Sequence, residues 1–291
     1  ELIITTEAVK GRPGMVSTSY LQFPQDVNKG ELVLLDDGKL RLEVVATDGR
    51  TTVTTKVLNG GILSANKGLN LPNTKISLPC LTEKDKQDLE FALDHDVDWV
   101  GLSFVRSARD IIELKGIIHQ REKHARVVAK IEKPEALLEI DEIIRESDAL
   151  MVARGDLGVE IPMEKVPLVQ KDIIRRCLAQ HRPVIVATQM MESMITNITP
   201  TRAEVNDVAN AVLDHADAVM LSAETSVGKF PVEVVKAMNK ILLEMETSET
   251  MFNVPQPDLE EDDRMVTDAI CMASVRVAAA IDIKAIATMT H

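Results

Sequence analysis

Aromatic residues are scarce in this chain: they make up only 2% of its 291 residues, while hydrophobic residues make up 45%. Alanine, valine, isoleucine, leucine and methionine must therefore fill the core, as is common in α/β proteins. Charged residues account for 27%, which is ordinary for a globular protein. The length allows one large domain or two smaller ones with a substantial core.

Positively charged residues are also few. The chain has 33 lysines and arginines and 46 aspartates and glutamates, which gives a formal net charge of −13. A protein whose main partner is nucleic acid needs a basic surface, so this class is disfavoured. The sequence has no Gly-x-x-x-x-Gly-Lys-Ser/Thr loop for phosphate. Any phosphorylated substrate must then be received by a few local cations or by a bound metal.

Cysteines and long apolar runs are few. Cys80, Cys177 and Cys271 stand far apart without Cys-x-x-Cys spacing, which favours buried free thiols in a reducing compartment over disulfides or zinc. No apolar run approaches the roughly 20 residues of a membrane span, and no signal peptide opens the chain. We expect a cytoplasmic protein without a membrane partner.

The two ends of the sequence both fall at strand-like runs. Glu1 opens the run ELIITTEAV without a preceding methionine, and His291 closes the run KAIATMTH. We therefore expect a piece of a longer protein, with segments missing at both ends.

Residues 1–76 are predicted to be all-β. Short runs rich in β-branched residues are separated by turn signals such as Asp-Asp-Gly, Asp-Gly and Asn-Gly-Gly. Several short strands with little helix signal indicate a small antiparallel barrel or sandwich. The clearest strand runs are LIITT, ELVLL, LRLEVVAT and TTVTTKVL.

The following residues alternate between helix and strand. Thr82, with Asp85 three residues later, predicts the start of a capped helix. Alternation of this kind indicates right-handed βαβ units and a parallel sheet, either part of an eight-stranded barrel or an open doubly wound sheet. The predicted strands are 97–104, 126–132, 149–156, 183–189 and 217–224, and the predicted helices are 108–120, 134–146, 163–180, 201–214 and 231–246.

Two carboxylates follow neighbouring predicted strands: Glu132 in VVAKIEK and Asp156 in LMVARGDLG. The ends of adjacent parallel strands converge on one rim of the sheet, where a divalent cation can bind. Lys130 shares a strand face with Glu132. Because an unpaired buried ammonium is costly, Lys130 needs an anionic partner, supplied by Glu132, by substrate or by both.

The chemistry of this rim favours a hard cation and an anionic substrate. Two carboxylates with oxygen ligands from substrate and water suit Mg²⁺ or Mn²⁺, and without a nearby His or Cys zinc is disfavoured. Backbone N–H groups of the Arg154-Gly155-Asp156 turn would hold a carboxylate or phosphate, with Gly155 allowing close approach. Other polar residues predicted on the rim are Ser103, Arg106, Thr188, Gln189, Ser222 and Glu224. For a serine such as Ser103 or Ser222 taken alone, capping of the next helix is the preferred interpretation.

Several long stretches resemble the pyruvate kinase family. They are AKIEKPEALLEIDEI, DALMVARGDLGVEIP, ATQMMESMITNITPTRAEVNDVANAVLDHADAVMLSAETSVGKFPVEVV and the earlier NKGLNLPNTKISLPCLTEKDKQDLEFALDHDVDWVGLSFVRS. The resemblance implies an α/β fold: a partial (β/α)₈ TIM barrel with an inserted small β-barrel cap domain and the beginning of a C-terminal α/β domain. Residues 1–76 would be most of the cap, 77–247 barrel units 4–8, 248–261 a linker, and 262–291 the start of the regulatory domain.

The resemblance also implies roles at the barrel rim. Lys130 matches the family lysine that stabilises the enolate and the transferring phosphoryl group, and Glu132 and Asp156 match the Mg²⁺ ligands. Gly155, Asp156 and Thr188 match positions that hold the substrate carboxylate. Thr188, with bound water, would also deliver the proton that completes pyruvate.

Further positions are implied around this centre. Lys67 matches a nucleotide contact on the cap domain, and Arg154, Glu192 and Ser222 lie in family motifs near the site. The active-site arginine and the K⁺ site of the family would both belong to a preceding barrel segment. The sequence therefore does not decide whether K⁺ is a cofactor. The complete protein would be a homotetramer.

The implied reaction is Mg²⁺-dependent phosphoryl transfer from phosphoenolpyruvate to ADP, giving pyruvate and ATP. We expect the isolated 291 residues to be inactive. The alternative is a Mg²⁺-dependent aldolase or lyase acting on pyruvate or its enolate, since such barrels also hold an enolate with a Glu/Asp pair. The cap domain with Lys67 favours the kinase, because an aldolase has no nucleotide to contact.

Overall fold

The chain forms two compact units, Glu1–Gln170 and Lys171–His291. The computed structural model describes residues 1–72, 74–77, 79–248, 265–281 and 286. The first unit holds a six-stranded sheet and three parallel strands with their helices. The second holds a parallel strand pair and further helices.

The six-stranded sheet has the order β2-β1-β5-β4-β3-β6. Its strands are β1 (Leu2–Thr5), β2 (Met15–Ser17), β3 (Leu32–Leu35), β4 (Leu40–Thr47), β5 (Thr52–Asn59) and β6 (Leu69–Asn70). All neighbours are antiparallel except β1 and β2. The four predicted strand runs are confirmed, whereas β2, β6 and a short helix, α1 (Phe23–Asp26), were too short to leave a pattern.

Alternation of side chains explains how this sheet builds its core. In β4, Leu40, Leu42 and Val44 are buried while Arg41 is exposed, as expected for a strand with one covered face. Phe23 of α1 is fully buried in the same cluster. One of the few aromatic residues therefore belongs to this small core.

The predicted Asp48-Gly49 turn joins β4 to β5. Hydrogen bonds from the backbone N–H groups of Thr52, Arg50 and Thr51 lower the pKa of Asp48 to about 2. Gly49 adopts a φ of 67°, in the left-handed region that glycine enters without strain. The turn residues therefore set the register of the longest hairpin in the sheet.

Three parallel strands complete the first unit: β7 (Trp99–Leu102), β8 (Arg126–Ile131) and β9 (Ala149–Ala153), with β8 paired to both neighbours. Their helices are α2 (Glu83–Asp94), α3 (Ala108–Gln120), α4 (Pro134–Leu138), α5 (Ile140–Glu146) and α6 (Arg154–Glu160). A 3₁₀ turn, Met163–Lys165, precedes α7 (Val166–Ala179). The predicted cap is confirmed, since Thr82 and Asp85 form a reciprocal capping box at α2.

Two sequence-based boundaries were wrong in the first unit. The helix predicted over 134–146 is divided at Glu139 into α4 and α5. The strand predicted over 149–156 ends at Ala153, because residues 154–156 already form the first turn of α6. An acidic residue in the first turn, here Asp156, is favoured by the helix dipole.

The second unit contains β10 (Val184–Ala187) and β11 (Ala218–Met220), which pair in parallel. Its helical segments are a 3₁₀ turn (Glu192–Ile195), α8 (Arg202–Leu213), α9 (Ala223–Ser226), α10 (Pro231–Glu246) and α11 (Met265–Ala280). The strand predicted over 217–224 was too long, since α9 begins at Ala223. Val234 and Met238, four residues apart, form the buried side of α10.

The C-terminal predictions are only partly covered by the structure. The helix predicted after the linker is present as α11. The linker at 248–261, apart from Ser248, and the terminal strand, apart from Ile286, lie outside the described residues. Among the helices of the described segments, none is long and apolar enough to cross a membrane.

The cysteines are unpaired thiols, as the sequence predicts, but only one is fully buried. Cys177 is buried, Cys80 is half-buried and Cys271 is exposed. Burial raises the pKa of Cys80 and of Cys177 to about 12. Both thiols are therefore protonated and unreactive near neutral pH.

Candidate active site

Lys130 and Glu132 form an ion pair at the end of β8. Glu132 follows the last residue of the strand, and its Oε1 lies 2.6 Å from Lys130 Nζ. Nζ also donates to Ser103 Oγ at 2.8 Å. The Glu132 side chain is 2% exposed and that of Lys130 is 27% exposed. The ammonium is thus held in place by its two partners, on a side chain that is only partly buried.

The backbone after β7 supports the same carboxylate. Phe104 donates its N–H to Glu132 Oε2 at 2.8 Å, and Phe104 adopts a φ of 55°. A left-handed conformation in a residue with a side chain is strained. The Phe104 ring is exposed, so burial of the ring does not explain the strain. The hydrogen bond to a buried carboxylate does, because an unpartnered carboxylate oxygen would cost more.

Asp156 follows the neighbouring strand at the same edge of the sheet. The parallel register pairs Ile131 with Val152, so Glu132 and Asp156 lie just beyond the carboxyl ends of adjacent strands. Asp156 is the third residue of α6, and Gly155 precedes it in the first turn. Arg154, which opens the helix, donates to Gln170 at 3.4 Å. Glu132 and Asp156 therefore follow adjacent strands of the first unit at the same edge of the sheet, as the sequence predicts.

The donor set of this rim fits a hard divalent cation. Among the described residues, no three His, Cys, Asp or Glu side chains are gathered closely enough to bind a metal ion. Within the part of the chain that the structure describes, the rim therefore offers the two carboxylates Glu132 and Asp156, and water and substrate oxygens would supply the rest. Mg²⁺ is commonly bound in this way. Each Glu132 oxygen accepts one contact, Oε1 from Lys130 and Oε2 from Phe104, and keeps lone-pair capacity for a cation.

Three further predicted site residues belong to the second unit. Thr188 follows β10 directly with a φ of 69°, and its Oγ1 donates to the Ala187 carbonyl at 2.6 Å. Glu192 is exposed at the start of the 3₁₀ turn, and Ser222 follows β11. All three lie after the carboxyl ends of strands, where the sequence places them. Their part in catalysis stays a prediction.

Glu224, also predicted on the rim, has a structural explanation. It is 2% exposed, and its carboxylate accepts the N–H of Ser222 at 2.7 Å and that of Met191 at 3.3 Å. Its carboxylate therefore connects the segment after β10 to the segment after β11 by hydrogen bonds. Gly228 is needed beside it, since a Cβ there would lie 2.2 Å from the Glu224 carbonyl oxygen.

Lys67 is paired with Asp36 in the loops that flank β6 and β3. Its Nζ lies 2.8 Å from Asp36 Oδ1, and its side chain is 37% exposed. The hydrogen bond raises the pKa of Lys67 and lowers that of Asp36. Asp36 therefore keeps Lys67 charged and in one place, and the predicted nucleotide contact stays a prediction.

One buried cluster beside the rim was missed by sequence reasoning. Lys133 Nζ lies 2.5 Å from Glu160 Oε1, and Asn70 donates to the same oxygen at 3.1 Å. The available signals were local: Lys133 follows Glu132 directly, and Glu160 lies four residues after Asp156 on one helix. Nothing in the sequence connects these positions to Asn70.

Comparison with known proteins bears on the family and the fold of this chain. The family model "Pyruvate kinase, barrel domain" matches residues 1–235. The chain is 44% identical over 292 residues to a pyruvate kinase of Geobacillus stearothermophilus, covering 100% of this chain and 50% of the relative. It is 47% identical over 288 residues to one of Mycobacterium tuberculosis, covering 99% and 60%.

A solved structure agrees with these relatives. The crystal structure of a pyruvate kinase from Cryptosporidium parvum matches with a TM-score of 0.83 and 38% identity, over 97% of this chain and 59% of that one. The chain thus spans about 50–60% of the length of the relatives it matches. The matches confirm the α/β fold class and favour the partial (β/α)₈ barrel over the open sheet. The chain belongs to the pyruvate kinase family.

Proposed function

We propose that the complete protein carrying these 291 residues transfers a phosphoryl group from phosphoenolpyruvate to ADP, giving pyruvate and ATP. The observation that carries this proposal is the Lys130–Glu132 pair at one strand end, with Asp156 after the adjacent strand. Membership of the family supports it, as does the name pyruvate kinase of the relatives.

Lys130 is the proposed catalytic cation. In the reaction the bond between phosphorus and the enol oxygen breaks, and its electron pair remains on that oxygen as an enolate. A β-phosphate oxygen of ADP forms the new bond to phosphorus. Both the enolate and the transferring group carry negative charge, which an ammonium already fixed by Glu132 and Ser103 stabilises without reorganisation.

Glu132 and Asp156 are the proposed ligands of Mg²⁺ or Mn²⁺. Such a cation supplies neutralisation of charge on the reacting oxygens. Gly155 and Asp156, at the start of α6, are proposed to hold the substrate carboxylate together with Thr188. Thr188, with bound water, is the proposed source of the proton that converts the enolate to pyruvate at carbon.

Other parts of the proposal rest on family resemblance. Lys67 contacts the nucleotide, and Arg154, Glu192 and Ser222 neighbour the site. The cap domain excludes water, which would otherwise hydrolyse the phosphoryl group. We further propose a cytoplasmic homotetramer without nucleic acid or membrane partners. The requirement for K⁺ as a further cofactor is left open.

The proposed domain division is the one implied by the sequence. Residues 1–76 form the cap and 77–247 the barrel units, followed by a linker at 248–261 and the start of a C-terminal domain at 262–291. The 291 residues alone are proposed to be inactive, because five of eight strands leave open parallel edges and the family arginine lies elsewhere. ADP-dependent pyruvate formation by these residues alone would refute that.

The reaction is tested by measuring pyruvate formation from phosphoenolpyruvate by the complete protein, with and without ADP. The proposal predicts that turnover requires ADP and a divalent cation and yields one ATP per pyruvate. Turnover that is independent of ADP would contradict a kinase. No observation favours the aldolase or lyase alternative.

A further inference from the structure

A buried cluster joins three elements of the first unit. Lys133 and Glu160 form an ion pair with Nζ 2.5 Å from Oε1, and their side chains are 8% and 1% exposed. Asn70 Nδ2 donates to the same Glu160 oxygen at 3.1 Å. Lys133 directly precedes α4, Glu160 is the last residue of α6 and Asn70 is the last residue of β6.

The cluster is connected through the chain to both proposed ligands. Lys133 is the residue after Glu132, so the position of its ammonium is coupled to the backbone that carries the first carboxylate. Glu160 lies on α6 four residues after Asp156, and residues with this spacing share a helix face. The ion pair therefore links the segment bearing Glu132 to the helix bearing Asp156.

Stability alone explains this pair poorly. Two charges removed from water lose hydration, and a well-packed apolar pair of similar volume is often at least as stable. A charge-assisted hydrogen bond does, however, fix distance and direction better than apolar contact. Metal sites depend on such supporting contacts, since a ligand held at the wrong distance binds weakly.

We propose that Lys133, Glu160 and Asn70 are positioning residues that set the separation of Glu132 and Asp156, and thereby their affinity for a divalent cation. This inference rests on the proposed function, because it takes those two carboxylates as the ligands. Asn70 brings β6 into the cluster, so the six-stranded sheet shares in holding the ligand geometry.

The test is a Mn²⁺ titration of the complete protein without substrates. The concentration of unbound Mn²⁺ is measured by electron paramagnetic resonance at each step. Glu160→Gln should weaken Mn²⁺ binding roughly 10- to 100-fold, the range for loss of a contact that orients a ligand. Asn70→Ala should weaken it less, since it removes one neutral donor and leaves the ion pair. Lys115→Met is the matched control. It breaks the ion pair between Lys115 and Asp148, which lies at the opposite ends of the same strands. The Mn²⁺ affinity of this variant should equal that of wild type.

A double variant separates positioning from folding. Lys133→Met with Glu160→Leu replaces the buried charges by apolar groups, so its thermal unfolding midpoint should stay near that of wild type. Its Mn²⁺ affinity should nevertheless fall roughly 10- to 100-fold. Trp99, the single tryptophan, lies on β7 beside β8 and reports folding of this sheet by fluorescence.

The outcomes distinguish this inference from the proposed function. If wild type binds Mn²⁺ and the folded double and Asn70→Ala variants bind it as tightly, the positioning role is overturned and the ligand assignment stands. If wild type binds no Mn²⁺ at millimolar concentration, the ligand assignment fails and this inference fails with it.

Discussion

Two glutamates follow parallel strands in the two units, and their surroundings differ. Glu132, after β8, is 1% exposed, and Glu224, after β11, is 2% exposed. Glu132 pairs with Lys130, whose side chain is partly exposed, whereas Glu224 accepts hydrogen bonds from the backbone N–H groups of Ser222 and Met191. A buried carboxylate at a strand end is therefore not in itself a sign of chemistry. We infer the role from the partner: the lysine beside Glu132 supports the proposed reacting site, and the backbone N–H groups around Glu224 support a structural link between loops.

The largest effect on activity is expected at Lys130, the partner that Glu132 has and Glu224 lacks. Lys130→Met in the complete protein should lower kcat roughly 10²- to 10³-fold, because the charge is needed most in the transition state. KM for phosphoenolpyruvate should change much less. Steady-state kinetics measure both quantities, and a raised KM with unchanged kcat would show that Lys130 only binds substrate.

The second prediction concerns the other proposed ligand. Asp156→Asn removes one negative charge from the proposed metal site, so the Mg²⁺ concentration for half-maximal activity should rise by at least about tenfold. Measuring activity against Mg²⁺ concentration gives this value. An unchanged Mg²⁺ titration would remove Asp156 from the ligand set.

Glu224 should affect stability rather than metal binding. Glu224→Ala leaves the N–H groups of Ser222 and Met191 without their acceptor, and should lower the free energy of unfolding by about 1–3 kcal/mol. Urea denaturation measures the loss. A Glu224→Ala protein of unchanged stability would contradict the role of this carboxylate as a tie between loops.

The smallest effect is expected at a third glutamate, Glu204, which forms a capping box with Thr201 at the start of α8. Burial acts to raise the pKa of Glu204, but hydrogen bonds from Ser193 and Thr201 outweigh it and lower the pKa below 4.5. A lowered folded-state pKa stabilises the protein above the unfolded value of 4.5, and this stability is lost as the pH falls through the folded value. Because Glu204 is partly exposed, the effect should be about 0.5 kcal/mol.

Unfolding free energies measured between neutral pH and the acid range test this last prediction. Wild type should lose more stability than Glu204→Gln as the pH falls below 4.5. Parallel pH profiles for the two proteins would show that the Glu204 hydrogen bonds carry no net stabilisation.

The rim carboxylates were predictable from the sequence, because strand ends in parallel folds converge whatever the detailed packing. Lys130 and Glu132 lie two residues apart, so local geometry alone brings them together. The start of α6 at Arg154 was not predictable, since an apolar run ending in Arg-Gly-Asp continues a strand as readily as it starts a helix. The domain boundaries and the roles of Thr188, Glu192 and Ser222 stay predictions.

The cluster of Asn70, Lys133 and Glu160 shows what local patterns cannot supply. Asn70 and Glu160 are 90 residues apart, and their contact exists only after the six-stranded sheet meets α6. Glu224 likewise has the sequence position of a rim residue, but its hydrogen-bond partners are backbone N–H groups distant from it in the pattern or local to its loop. Long-range partners, rather than residue type, separate the reacting groups from the supporting ones.

The measurement that tests this account most directly is the Mg²⁺ titration of Glu132→Gln beside Glu224→Gln in the complete protein. The two variants make the same change in equally buried strand-end glutamates. Glu132→Gln should require at least about tenfold more Mg²⁺ for half-maximal activity, and Glu224→Gln less than about twofold more. Equal Mg²⁺ requirements in the two variants would contradict the assignment of Glu132 as a metal ligand.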